Sequence, residues 1–141
     1  MTENRAALRE SKFGQLTVRV IMEKAVQSAN KDTEAEMLAS YMMEGFGSVP
    51  IIDGNNKLLG IVSEFDLLTA LRKGKKLNEV NAGEIMTANP VSVTQDTNVM
   101  TLIDVLQNNH LIRVPVVDST GKLIGIVARR DLLRGYLQAM A

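Results

Sequence analysis

The sequence predicts an α/β fold made of two pseudo-symmetric repeats, each ordered strand, helix, strand, strand, helix. Three observations lead there. The chain repeats itself internally, and helical and strand periodicities alternate in the same order in both copies. Its 141 residues with 45% hydrophobic content suit one compact domain with a real core and leave no length for a separate catalytic domain.

Ile21-Met22 pairs with Ile85-Met86, and Asp32-Thr33 with Asp96-Thr97, at an offset of 64 residues. Farther along the offset is 65. Val49-Pro50-Ile51-Ile52-Asp53 matches Val114-Pro115-Val116-Val117-Asp118, Lys57 to Val62 matches Lys122 to Val127, and Asp66-Leu67-Leu68 matches Asp131-Leu132-Leu133. One residue inserted between Thr97 and Val114 accounts for the change, which marks a duplication with a single small indel.

Residues 1–15 form an N-terminal extension, in which 3–14 read either as a short helix through Ala6, Ala7 and Leu8 or as a partly ordered tail. The first repeat covers 16–73 and the second 81–141. After the Asp-Thr pair of each copy, apolar residues recur at three- and four-residue steps: Met37, Leu38, Tyr41 and Met42, then Val99, Leu102, Ile103 and Leu106. That spacing predicts amphipathic helices. The Asp-Thr pairs read as helix caps, with Thr33 and Glu36 as a capping box. Two short Val/Ile-rich runs follow, joined by Asp53-Gly54-Asn55-Asn56 or Asp118-Ser119-Thr120-Gly121, the signature of neighbouring strands linked by a turn. Closing helices are expected over Glu64 to Arg72 and Arg129 to Ala139. Residues 74–80, with the lysines just before and within them, read as an exposed, solvated linker.

Composition excludes several functions. Lys plus Arg is 16 and Asp plus Glu is 16, with no block of like charge, so nucleic acid is not an expected partner. Cysteine is absent, which removes thiolate nucleophiles and zinc-cysteine sites and agrees with a reducing compartment. No apolar run approaches the roughly 18 residues a membrane helix needs, and the chain reads as cytoplasmic. An enzyme would need a nucleophile, an acid-base pair or a metal cluster. One histidine, no cysteine and aspartates at helix starts give that little support, and neither a Walker-type nor a dinucleotide glycine motif is present.

The Val-Pro-hydrophobic-hydrophobic-Asp strand, the Gly-Ile-Val strand and the Asp-Leu-Leu helix, each present twice, resemble CBS domains, a tandem pair of which is called a Bateman module. The resemblance spans about Leu16 to Leu137. It implies two repeats packed through their sheets and two clefts between them for AMP, ADP, ATP or a related adenosyl ligand. The ligand is regulatory, and no obligatory cofactor is implied. Pairing of two modules into a disc-shaped homodimer is implied as well.

In this family a Gly-hydrophobic-x-Ser/Thr-x-x-Asp segment holds the nucleotide, and Gly60 to Asp66 is similar to it, with Asp66 on the ribose hydroxyls and Ser63 near phosphate. A carboxylate can accept two hydrogen bonds from a diol, and a hydroxyl beside free helix-start amides suits an anion. Ser63 with Asp66 also reads as a plain capping box. The second copy keeps Asp131 but has Ala128 in place of the hydroxyl, a departure that weakens its phosphate contacts. Arg129 and Arg130 lie in the first helical turn, where the macrodipole disfavours cations by a few tenths to about 1 kcal/mol each; a phosphate would offset that, as would plain extension into water. The resemblance assigns the opposite wall of the Asp66 cleft to Met86, Val93, His110 and Arg113, with Val93 and Ile61 around the adenine and His110 and Arg113 near phosphate. For the Asp131 cleft it assigns Met22, Ala29 and Ile126. A lone histidine is more often an ordinary surface or packed residue than a ligand contact, and the eight methionines serve equally as core filler.

Two readings of function follow. The first is a nucleotide sensor that signals to a separate effector protein. The second is a dimer scaffold whose clefts bind nothing.

Overall fold

The computed structural model describes residues 2 to 141, with side chains from residue 4 onward; Met1, part of the expected extension, lies outside them. In chain order the elements are α1 (Thr2–Glu10), α2 (Val18–Ile21), α3 (Ala35–Met43), β1 (Ser48–Ile52), β2 (Leu58–Ser63), α4 (Glu64–Arg72), α5 (Ala82–Ile85), β3 (Thr87–Ala88), β4 (Val93–Thr94), α6 (Val99–Asn108), β5 (Arg113–Val117), β6 (Leu123–Ala128) and α7 (Arg129–Ala139). The result is a mixed α/β fold with two repeats, each carrying a three-stranded sheet and helices. Both closing helices have the bounds expected from the sequence. Residues 2–10 are helical, and a 3-10 turn over Phe13–Gln15 follows.

The chain forms two compact units. Unit 1 contains the N-terminal segment to Ala25, Val91–Ser119 and Ile124–Ala141; unit 2 contains Val26–Pro90 and Thr120–Leu123. The leading segments of the two repeats are thus exchanged. Glu23 bridges Ile126 of the second repeat, while β3, which opens the second repeat, pairs antiparallel with β2 of the first through Gly60↔Ala88 and Ile61↔Thr87.

In unit 2, β1 pairs antiparallel with β2, and Ala29 bridges β1 from its other side in parallel. Val49, Ile51 and Val62 point into a core with Ala35, Leu38 and Met42. In unit 1 the sheet order is β4-β5-β6, with β4 parallel to β5, and its core gathers Val99, Leu102, Val114, Val116 and Val127 around Phe13, Val18 and Ile21. Leu38 and Leu102, 64 residues apart, are both fully buried, so the duplicated apolar pattern builds two similar cores. Phe13 closes unit 1 from the N-terminal side, its ring edge-on to Tyr136 with centroids 5.4 Å apart.

The Asp-Thr pairs do not cap the helices, contrary to the sequence-based expectation. The Thr33 hydroxyl accepts from the Asn30 amide, and Thr97 accepts from Thr94 in the same way, so each threonine closes a tight turn ahead of its helix. Glu34 is the residue before α3 and caps nothing with its side chain. Before α6, Asn98 takes the cap, its Oδ1 accepting from the Met100 amide at 2.8 Å.

Candidate functional site

Each unit contains one junction at which a strand runs directly into a helix, β2 into α4 and β6 into α7, and most of the expected site residues gather at these two places. In unit 2, β2 ends at Ser63 and α4 starts at Glu64. The Asp66 carboxylate turns back over the junction, and its Oδ2 accepts from the Ser63 amide at 2.8 Å and from the Ser63 hydroxyl at 3.1 Å. The Asp66 amide in turn donates to Ser63 Oγ at 3.3 Å. This is a reciprocal capping box with Asp in place of Glu. All of these bonds to the carboxylate converge on Oδ2, so Oδ1 of the half-buried Asp66 accepts from no described residue.

The exchange of leading segments brings Met86 to this junction. Gly60, three residues before Ser63, has no side chain because there is no room for one: a Cβ there would lie 2.5 Å from Met86 Sδ and 2.8 Å from the Thr87 carbonyl oxygen. Ile61 stands half-buried beside it, opposite Pro50 on one side and Thr87 on the other.

In unit 1, β6 ends at Ala128 and α7 starts at Arg129. Asp131 Oδ2 accepts from the Ala128 amide at 2.8 Å, the same return contact as in unit 2. Alanine offers no acceptor, so only this half of the capping box exists. Asp131 Oδ1 accepts from Arg134 at 3.0 Å, and the aspartate is 7% exposed. Both carboxylate oxygens are therefore engaged. Arg134, the partner of Asp131, is not singled out by the sequence analysis, although its i+3 spacing from Asp131 is the available signal. Met22 and Gly125 repeat the Met86 and Gly60 arrangement with more room, a Cβ on Gly125 lying 3.0 Å from the Glu23 carbonyl oxygen and 3.1 Å from Met22 Sδ. Ile126 is half-buried and bridges Glu23. Arg129 and Arg130 are exposed.

The remaining expected residues lie elsewhere. Val93 is 6% exposed and packs into the unit 1 core, paired with Val116. Arg113 opens β5. His110 follows α6 in the left-handed region, φ 53°, and borders an apolar groove of unit 1 together with Arg129. Ala29 belongs to unit 2, where its amide donates to the Pro50 carbonyl and its own carbonyl accepts from the Ile52 amide. Among the described residues no cluster of three or more His, Cys, Asp or Glu could hold a metal ion, and no helix is long and apolar enough to cross a membrane.

Residues 18–73 and 82–138 each match the family model for the CBS domain. The chain belongs to the CBS domain family. This CBS pair is 32% identical to the chloroplastic CBS domain-containing protein CBSX1 of Arabidopsis thaliana, over 76% of this chain and 56% of that protein. It is 29% identical to the inosine-5'-monophosphate dehydrogenase of Methanocaldococcus jannaschii over 85% of this chain but only 24% of that enzyme, so the likeness is one of CBS domains. The chain spans 54% to 63% of the length of the first curated relatives it matches. Among solved structures, CBSX2 in complex with AMP superposes with a TM-score of 0.81 at 31% identity, covering 89% of this chain and 99% of that one. The CBS domain pair of protein MJ0100 in complex with 5'-methylthioadenosine and S-adenosyl-L-methionine gives 0.76 at 29% identity, covering 85% and 98%.

Proposed function

We propose that this CBS pair is a non-enzymatic regulatory module that binds an adenosyl ligand (AMP, ADP, ATP or a related compound) and passes its occupancy to an effector protein in the cytoplasm. The observation that carries the proposal is the β2–α4 junction. Asp66 is held in place through one carboxylate oxygen while the other has no partner among the described residues, which is what a ribose hydroxyl needs from an acceptor. Ser63 and the first amides of α4 suit an anion. The likeness to CBS pairs solved with AMP and with S-adenosyl-L-methionine supports the adenosyl class. Ile61 and Met86 supply apolar surface, and the family resemblance assigns His110 and Arg113 to phosphate.

Two copies pair into a homodimer. The exposed apolar residues of α4 (Phe65, Leu68 and Leu71) and of α7 (Leu133 and Leu137) are the surfaces that such pairing covers.

The thermal midpoint of the purified protein against AMP, ADP, ATP, S-adenosyl-L-methionine, 5'-methylthioadenosine and GTP tests the ligand. Saturation at 100 times the dissociation constant stabilises by about 2.7 kcal/mol, a shift of several degrees, expected for an adenosyl compound and not for GTP. Asp66→Ala should lower that affinity about tenfold or more, the worth of one or two charge-assisted hydrogen bonds. A midpoint indifferent to all six compounds favours the scaffold reading, for which the β6–α7 junction, with both Asp131 oxygens engaged, is the supporting observation.

A further inference from the structure

The two strand-to-helix junctions differ at two matched positions, 65 residues apart in the chain: Ser63 corresponds to Ala128, and Thr69 to Arg134. In unit 2 the Thr69 hydroxyl donates to the Phe65 carbonyl one turn back at 3.0 Å. It serves the helix backbone, and Asp66 Oδ1 has no partner among the described residues. In unit 1 the Arg134 guanidinium donates to Asp131 Oδ1 at 3.0 Å, the oxygen that matches the unused one of Asp66. We propose that Arg134 closes the unit 1 junction to ligand, so that each chain binds one adenosyl ligand, at Asp66, and none at Asp131. The proposal rests on the adenosyl reading above and adds to it the number of sites and the residue that sets this number.

Burial and chemistry both make this contact hard to displace. The Asp131 side chain is 10% exposed and that of Arg134 53%, so the guanidinium reaches from solvent to a carboxylate that is largely out of water. A buried carboxylate that loses its counterion is strongly disfavoured. A ribose hydroxyl is a neutral donor, and a charge-assisted hydrogen bond is roughly twice as strong as a neutral one. The hydroxyl therefore cannot take Oδ1 from the guanidinium without loss. Arg134 is also tethered one turn from Asp131 on the same helix, which gives it a high effective concentration that a dissolved ligand has to match. Ala128 removes the other group a ligand would use, leaving Asp131 Oδ2 to serve the Ala128 amide alone. The same arginine supports the fold: α7 has only half of a capping box, and Arg134 fixes the aspartate that provides it. At this junction a ligand contact has been exchanged for an internal one.

Equilibrium dialysis of the full-length chain against AMP, ATP and S-adenosyl-L-methionine counts the sites. The wild type should take up one equivalent per chain of the compound that binds. R134A and R134Q should each take up two, the added site binding about tenfold or more tighter than any second site of the wild type. R134Q keeps a hydrogen-bond donor without the charge, and circular dichroism checks that each variant keeps the wild-type helix content. Adding D131N to R134A should remove the new equivalent, whereas D66A should remove the original one. Two equivalents on the wild type, one on both arginine variants, or a new equivalent that survives D131N each overturn the role of Arg134 and leave the adenosyl reading intact. Uptake by the arginine variants alone keeps Arg134 as the closing residue and overturns the Asp66 site. No uptake of any of the three compounds by wild type or variants overturns both.

Discussion

The two strand-to-helix junctions share a backbone plan but differ in what their aspartates have left to give. At Ser63–Asp66 the local cap uses one carboxylate oxygen and a hydroxyl, and the second oxygen has no partner among the described residues. At Ala128–Asp131 the hydroxyl is missing, and Arg134 occupies the second oxygen. The same motif thus caps a helix in both copies, but only the first copy keeps an unused acceptor. Duplication preserved the part of the motif that the fold needs, and the halves diverged in the part a ligand would use.

The widest gap between the junctions should appear in their glycines. Gly60→Ala places a Cβ against the Thr87 backbone as well as Met86, so a cost of about 1–3 kcal/mol is expected. Gly125→Ala meets its neighbours 3.0 Å away or more and should cost less. Urea unfolding of both variants measures the difference, and equal costs would mean that β3 yields as easily as the Glu23 segment. Next come the aspartates. Asp131→Ala removes the only side-chain cap of α7 and should destabilise by about 1–2 kcal/mol, whereas Asp66→Ala leaves Ser63 Oγ on the helix amide and should cost less while affecting ligand binding more. Ala128→Ser restores the missing hydroxyl and should stabilise by about 0.5–1 kcal/mol, bringing α7 level with α4.

The smallest effect concerns the turn after β1. The amides of Lys57 and Asn55 donate to the exposed Asp53 carboxylate and hold its pKa below the ordinary value. A folded-state pKa below the unfolded one gives stability that is present above the usual carboxylate range, about pH 4, and is lost as pH falls through the folded value. Asp53→Ala should therefore lower the thermal midpoint slightly at neutral pH, with the difference closing in acid.

Much of this was legible in the residues. The Val-Pro strands, the Gly-Ile-Val strands and the bounds of α4 and α7 follow from two copies of one pattern, in which each apolar period agrees with its neighbours. In the sequence the Asp-Thr pairs look like caps because a threonine hydroxyl serves a turn as readily as a helix, and nothing in the local sequence says which amide lies closer. Val93, assigned to the adenine by resemblance, packs with the unit 1 core, and in the sequence a β-branched side chain in a short strand looks the same whether it faces a ligand or a core.

The sequence alone determined the duplication, the α/β class, the order of elements and the family, because these are written in periodicity and motif spacing, which are local properties. Only the tertiary structure decided that the leading segments exchange, setting Met86 behind Gly60 and Met22 behind Gly125. It also decided that Asp131 is paired with Arg134 while Asp66 keeps an open oxygen. Both depend on distances between side chains, and their physical cause is packing: each core takes apolar side chains from the other repeat's leading segment, Val18 and Ile21 in unit 1 and Ala82 and Ile85 in unit 2.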